Sequence, residues 1–370
     1  MEARDVVRRR LGTVGLISPS ASGYRDVVGG LVAVQAQDYG PAKWSIAQRT
    51  LGVSNAQLDQ AFSDGELLRT HVLRPTWHFV RPEDLRWLLE LTAPRVHALN
   101  RYYRDKEGLD AAVLDRGVGV IAGALSGGNH LTKRELGELV GGAGIECTPL
   151  RLTLLVMHAE LEGLICSGRP RGKQQTYALI DERVPAGVDA NRPRGRQAMA
   201  VELARRYFTS HGPATVNDFT WWSSLRVADV TPALEEIGAG LVSERVDGVT
   251  YWFAESRAGG AAPASPGVQL IQAYDEYLVG YRESKFLVDL SGRAKARPQE
   301  HAFSLQILLD GQIAGSWKRT ITKTAVQIRA ALLVPFTAAQ QKALRAAAEQ
   351  HAQFLGLTAD LSVETLRGTG

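Results

Sequence analysis

The chain has 370 residues, 45% of them hydrophobic and 22% charged, which suits a fully globular protein of roughly two to four domains. Two cysteines, Cys147 and Cys166, are too few for a disulfide framework and lack metal-ligand spacing, and no uncharged apolar run is long enough to span a membrane. Residues 1–15 carry Arg4, Arg8, Arg9 and Arg10 in place of an apolar leader, so a soluble, reducing, cytoplasmic setting is expected. The formal charge is only +4, but it is unevenly placed: residues 166–206 hold nine Lys or Arg against four Asp or Glu. Residues 316–329 hold Lys318, Arg319, Lys323 and Arg329 and no acid. Basic charge gathered into segments, with a pI of about 9.1, favours a polyanionic partner.

Residues 2–14 read as a helix, 15–23 as a loop and 24–34 as a second helix. The second helix runs into Gln35-Ala36-Gln37-Asp38, after which Pro41 fits the first turn of another helix. A short helix over 55–62 precedes strand-like runs at 66–72 and 76–80 around Leu73-Arg74-Pro75. Helices followed by a hairpin describe a winged helix-turn-helix. The same grammar returns with a helix at 114–125, a second opened by residues 131–136 and a third at 148–161. The second of these opens on a capping box, Thr132 with Glu135. Strands at 163–166 and 175–179 then flank the loop Ser167-Gly168-Arg169-Pro170-Arg171-Gly172-Lys173, a basic wing. A third copy has helices at 197–210, 216–222 and 231–237 and strands at 241–246 and 250–253, with Asp247-Gly248 as a tight turn. A linker is expected at 257–266; beyond it, strand-like runs at 268–272, 303–309, 312–318 and 325–333 precede a helix over 337–355. The expected class is therefore α+β, with three tandem winged helix-turn-helix domains (1–112, 113–190 and 191–256) and a C-terminal β-barrel-like domain (267–370).

Gln35 and Gln37 are the most informative pair. A glutamine amide offers donor and acceptor and does not titrate. Spaced i and i+2 where helix gives way to irregular backbone, both can point into one cavity and hold a water or a polar edge without charge. The plain alternative is a frayed helix end with two solvated amides.

Several segments taken together resemble the AlkZ-type winged-helix DNA glycosylases, over nearly the whole chain. They are Gln35-Ala36-Gln37 with Trp44-Ser45-Ile46-Ala47-Gln48-Arg49, Arg74-Pro75-Thr76-Trp77-His78-Phe79, Asp218-Phe219-Thr220-Trp221-Trp222, Tyr274-Asp275-Glu276-Tyr277-Leu278-Val279-Gly280-Tyr281, and residues 311–319. The resemblance implies three tandem winged helices and a barrel forming a C-shaped DNA channel, with Gln35 and Gln37 catalytic. It also implies excision of bulky N7-alkylated purines and unhooking of interstrand crosslinks, as in self-resistance to a DNA-alkylating natural product. A sibling branch carries Asp at the second glutamine; Gln37 places this chain nearer the self-resistance branch, and Asp38 lies one residue beyond.

The chemistry tolerates neutral side chains. An N7-alkylated purine is already cationic and leaves without a proton from the enzyme. What remains is to place water against an oxocarbenium-like sugar, and positioning alone supplies much of such a barrier reduction. Asp38 competes as base or as electrostatic support. A lesion tied to the opposite strand is hard to swing into a deep pocket, so a groove-side site is expected in place of base flipping.

His71, Arg74, Trp77 and His78 are assigned to DNA contact, the alternative being a buried role; as a zinc pair the two histidines lack further ligands. Arg169, Arg171 and Lys173 on the wing, and Lys318 and Arg319 at a strand end, are assigned to phosphate contact. Asp275 and Glu276, neighbours that should point apart, are read as structural, and Trp221 and Trp222 as core. No metal, cofactor or lysine nucleophile is implied, so the expected enzyme is a monofunctional, monomeric glycosylase acting on duplex DNA. Its rivals are a non-catalytic winged-helix regulator and, less favoured for want of a nucleophile constellation, a hydrolase acting on the drug.

Overall fold

A computed structural model describes residues 1–17, 22–255, 267–297 and 304–366. The linker expected at 257–266 lies outside the described residues.

After α1 (Ala3–Thr13), the first helix-and-hairpin unit runs α2 (Tyr24–Leu31), β1 (Val34–Gln35), α3 (Tyr39–Ala47), α4 (Asn55–Asp64), β2 (Leu68–His71) and β3 (Trp77–Val80). Residues to which the sequence pattern assigns no element then form the 25-residue α5 (Pro82–Lys106), opened by a proline in its first turn with Glu83 and Asp84 behind it. The second unit is α6 (Ala111–Leu125), β4 (Leu131–Thr132), α7 (Lys133–Gly142), α8 (Pro149–Leu161), β5 (Ile165–Ser167), β6 (Thr176–Leu179) and the short α9 (Ile180–Arg183). The expected Thr132–Glu135 capping box forms. The third unit is α10 (Arg196–Ser210), α11 (Val216–Ser223), α12 (Val227–Ile237), β7 (Val242–Val246) and β8 (Val249–Phe253). Pro232, expected to open a helix, sits inside α12, because the helix already begins at Val227, where the N-cap Arg226 N–H donates to Asp229.

The C-terminal part is β9 (Val268–Ile271), α13 (Glu276–Val279), β10 (Leu305–Leu309), β11 (Gln312–Ile321), β12 (Ala325–Leu332), α14 (Ala338–Leu355) and β13 (Thr358–Thr365). These strands form one five-stranded sheet in the order β13-β12-β11-β10-β9. The sheet is open, which corrects the barrel expectation: β12 and β13 run parallel, joined by α14. A parallel pair needs a crossover helix, and here that helix covers one face, Leu344 and Ala348 packing against Leu270, Trp317 and Ile328. Asp310-Gly311, both at positive φ, turn β10 into β11.

The cores show how the units are joined. The second unit has its own, built on Leu114, Ile121, Leu136, Leu155 and Ile165. The first does not: Val32, Leu68 and Val80 share a cluster with Tyr207, Phe208 and Trp222 of the third unit. Its other side, through Val34, Trp44 and Phe79, packs on Ile271, Tyr277 and Leu308 of the C-terminal part. The segment carrying the glutamines is thus wedged between two other parts of the chain. Among the described residues no helix is long and apolar enough to cross a membrane.

Candidate active site

Helix α2 ends at Leu31, three residues before the expected boundary, because Val32 turns to φ 69°. A β-branched residue there is strained, and its complete burial holds it in place. The turn delivers Val34 and Gln35 into a strand that pairs antiparallel with β3, Gln35 opposite His78. Thr70 of β2 lies opposite His78 on the other side, so Gln35, His78 and Thr70 share one sheet face.

Gln35 is 5% exposed and held at three points. Its Oε1 accepts from Arg74 Nη2 at 2.8 Å, which turns the amide NH2 the other way. Its backbone N–H donates to Glu276 Oε1 at 2.7 Å, and its carbonyl accepts from Gln272 Nε2 at 3.5 Å. Arg74 follows Leu73, itself at φ 65°, and stacks 4.5 Å over the Trp221 ring. With Trp221, Arg95 and Arg282 it lines an open cleft of about 600 Å³. The other oxygen of Glu276 accepts from Trp222 Nε1 at 2.9 Å and lies 3.4 Å from His211 Nε2. Burial alone would raise this carboxyl, but the His211 hydrogen bond and the charges of Arg74 and its neighbours outweigh it and hold the pKa down to about 2. Burial pushes His78 the other way, down to about 3, with Arg74 adding to the shift, so its imidazole is neutral at ordinary pH.

Gln37 and Asp38 are exposed. The two glutamines differ in setting: Gln35 is buried in β1, and Gln37 projects where β1 has ended and α3 has not begun. Arg69 braces this stretch, donating to the carbonyls of Ala36 at 3.0 Å and Gln37 at 3.3 Å while stacking 4.3 Å over Trp77. Asp38 is the N-cap residue of α3 but makes no cap hydrogen bond, so its carboxylate stands at the surface beside Gln37. Its charge is felt by the Tyr274 hydroxyl and by Arg69.

His71 and His78 do not face DNA; that expectation is corrected by their burial. His71 Nδ1 lies 2.5 Å from Glu160 Oε2 of α8, tying the first hairpin to the second unit. His78 Nδ1 meets the Thr76 carbonyl at 2.9 Å, and its Nε2 has no partner. Trp77 is half-buried between His71 and Arg69. Trp222 is core as expected, whereas Trp221 is only part-buried and lines the cleft. Asp275 is structural: it takes a two-pronged ion pair from Arg49 and a hydrogen bond from Ser45.

The second hairpin is different. Arg169, Arg171 and Lys173 are all exposed on the loop between β5 and β6, and Arg171 pairs with the capping-box carboxylate of Glu135. This wing abuts the first hairpin, where the Arg69 N–H donates to Ser167 Oγ at 2.8 Å. In the C-terminal part, β11 carries exposed Lys318 and part-buried Arg319. Arg319 donates to His351 Nε2 at 2.9 Å, and its other Nη lies 3.9 Å from where a Cβ on Gly40 would sit. Arg69 at the Gln37 carbonyl and Arg319 beside Gly40 thus bring cations from two parts of the chain to this stretch. Sequence reasoning misses Arg69 and Glu276 as braces of the glutamine strand, since both act through contacts that no local pattern reveals.

The model of the family described as "DNA glycosylase AlkZ-like" matches residues 28–354. The chain belongs to the AlkZ-like family of DNA glycosylases. As a member it is a DNA glycosylase, and the regulator and drug-hydrolase readings give way. An interstrand DNA cross-link repair glycosylase of Streptomyces sahachiroi is 27% identical over 313 residues, 81% of this chain and 82% of that protein. The solved structure of Streptomyces sahachiroi DNA glycosylase AlkZ aligns with a TM-score of 0.79 over 99% of this AlkZ-like chain and 100% of its own, at 23% identity, and so shares its fold.

Proposed function

We propose that this AlkZ-like glycosylase excises bulky N7-alkylated purines and unhooks interstrand crosslinks built on them, serving as self-resistance to a DNA-alkylating natural product. Gln35 and Gln37 place the attacking water. The observation that carries this reading is the division of labour between the two amides: Gln35 is fixed by Arg74 and Glu276, while Gln37 is offered to the surface from a backbone braced by Arg69. A neutral amide is adequate because the alkylated base leaves unaided and only a positioned water is lacking. An exposed Gln37 also suits a groove-side approach, in which a crosslinked base stays near the stack.

We read the three helix-and-hairpin units as tandem winged helices that hold duplex DNA as a monomer, with the boundaries at 112, 190 and 256 given above. Phosphates are met by Arg169, Arg171 and Lys173 on the wing and by Lys318 and Arg319 on β11. Asp38, exposed beside Gln37, supports positive charge on the sugar.

The test is release of 7-methylguanine, and gel-resolved unhooking of an N7-linked crosslink, by the wild type and by Gln37→Ala, Gln35→Ala/Gln37→Ala and Asp38→Asn. Losing Gln37 should slow excision by about 100-fold, the scale of a misplaced reactant, with Tm unchanged. Wild-type rates in the double variant sink the reading; loss confined to Asp38→Asn moves the water to Asp38.

A further inference from the structure

Away from the glutamines, α5 and α8 pack side by side and bring together three side chains that the function above does not use. His97 of α5 places Nε2 3.0 Å from Glu162 Oε1 at the end of α8, and His158 of α8 places Nδ1 3.8 Å from the same oxygen. The two imidazoles meet edge to face, with centroids 5.0 Å apart. One donor atom from each of the three residues lies within 4.8 Å of the others. An ordinary hydrogen bond accounts for His97 and Glu162. It leaves His158 unexplained, because its Nδ1 is buried, has no hydrogen-bond partner and is aimed at the same carboxylate.

We propose that His97, His158 and Glu162 form a binding site for one divalent transition-metal ion of the zinc class, clamping α5 to α8. The i, i+4 spacing of His158 and Glu162 puts both on one face of α8, and α5 supplies the third ligand from across the helix contact. With metal–ligand bonds of about 2.0–2.1 Å, the edge of a tetrahedron is about 3.4 Å. The separations of 3.0 Å and 3.8 Å to the shared oxygen bracket that value, and the third edge, within 4.8 Å, closes by rotamer changes that draw the two imidazoles together. Two imidazoles and one carboxylate select zinc, cobalt or nickel over calcium or magnesium. Glu162 is half exposed, which leaves the fourth position open to water.

The surrounding charges are mixed. The Arg104 guanidinium, held by the His97 carbonyl at 3.2 Å, opposes a cation, while the Asp115 carboxylate near His158 favours one. Burial lowers both histidine pKa values, which keeps their lone pairs free at neutral pH. The same helix α8 carries Glu160, the partner of His71, so a bound ion would stiffen the junction that sets the basic wing against the first hairpin.

The test uses the full chain stripped with chelator, titrated with Zn²⁺ by calorimetry and with Co²⁺ by visible absorption. One equivalent should bind, Co²⁺ should give the intense bands of a low-coordinate site, and Tm should rise. His158→Gln, and separately Glu162→Gln, should weaken binding by more than the roughly 10–100-fold that an outer-shell partner accounts for. Should either variant fail to fold by circular dichroism, His97→Gln replaces it. His130→Gln, at a part-buried histidine elsewhere, should bind as the wild type does. No uptake by the wild type at millimolar Zn²⁺, or equal uptake by the folded ligand variants, overturns the site.

Discussion

The first and second units are written in the same local grammar, helices followed by a short hairpin with basic residues at its turn, yet the structure uses the two hairpins in opposite ways. In the first, His71, Arg74 and His78 are buried and spent on internal contacts with Glu160, Gln35 and the Thr76 carbonyl. In the second, Arg169, Arg171 and Lys173 stand in solvent. The difference lies in what each unit packs against. The second unit has a core of its own and leaves its wing free, whereas the first shares its core with its neighbours and has its hairpin covered by α8 and β5 of the second unit. Sequence pattern finds a hairpin; tertiary context decides whether its cations hold a ligand or hold the protein.

Removing the carboxylate at the centre of the buried hairpin's network should have the largest effect. Glu276 takes hydrogen bonds from the Gln35 backbone and Trp222, and faces His211. Glu276→Ala strands these groups in the interior and should cost about 3–5 kcal/mol of stability, the scale of a broken buried pair. Equilibrium denaturation in urea measures it. A cost below about 1 kcal/mol would mean that the network is wet and the contrast between hairpins overdrawn.

The exposed wing should behave in reverse. Replacing Arg169, Arg171 and Lys173 together by Ala should leave stability within about 0.5 kcal/mol of wild type. Duplex DNA affinity should drop, and the slope of log K against log salt should become shallower by about 2–3, one unit for each phosphate no longer neutralised. Arg171 is partly occupied by Glu135, so its single substitution should contribute least. An unchanged salt slope in the triple variant would take the wing off the DNA path.

What is legible in the sequence is local. The capping box at Thr132 and Glu135, the turns at Asp247-Gly248 and Asp310-Gly311, and the hairpins themselves need only neighbouring residues to form. The Gln35-Ala36-Gln37 stretch stands out, but its setting does not. Glu276 reaches Gln35 across 241 residues, and Arg69 grips Ala36 and Gln37 only because β2, β3 and β1 form one sheet. Reading 24–34 as one helix fails because Val32 takes a conformation that its residue type disfavours, stabilised by burial that the sequence does not display. The barrel expectation fails for a different reason: the alternation of Ala359, Leu361 and Val363 with Asp360, Ser362 and Glu364 marks a last strand that the expectation leaves out, and its parallel pairing keeps the sheet open. His97 and His158, on separate helices, offer no motif at all.

The smallest effect separates the hairpins by pH. His78 is wholly buried with its pKa pressed from 6.5 to about 3, so between those values the unfolded chain binds a proton that the folded chain refuses. Its contribution to stability is therefore fully present above about pH 6.5 and is lost as pH falls toward about 3. By about pH 5.5 one such group should already have cost about 1.4 kcal/mol, whatever the folded value below that. Glu276 does not interfere there, because its contribution is lost only as pH falls from 4.5 toward about 2. His351, also pressed to about 3, titrates in the same window, so the comparison must be made within one variant. His78→Asn keeps a donor for the Thr76 carbonyl and cannot titrate. Its stability should therefore fall by about 1 kcal/mol less than that of wild type between about pH 8 and 5.5, while the wing triple variant should track wild type over the same range. If His78→Asn falls as steeply as wild type, the first hairpin is open enough to admit a proton and its histidine stands closer to solvent than its packing indicates.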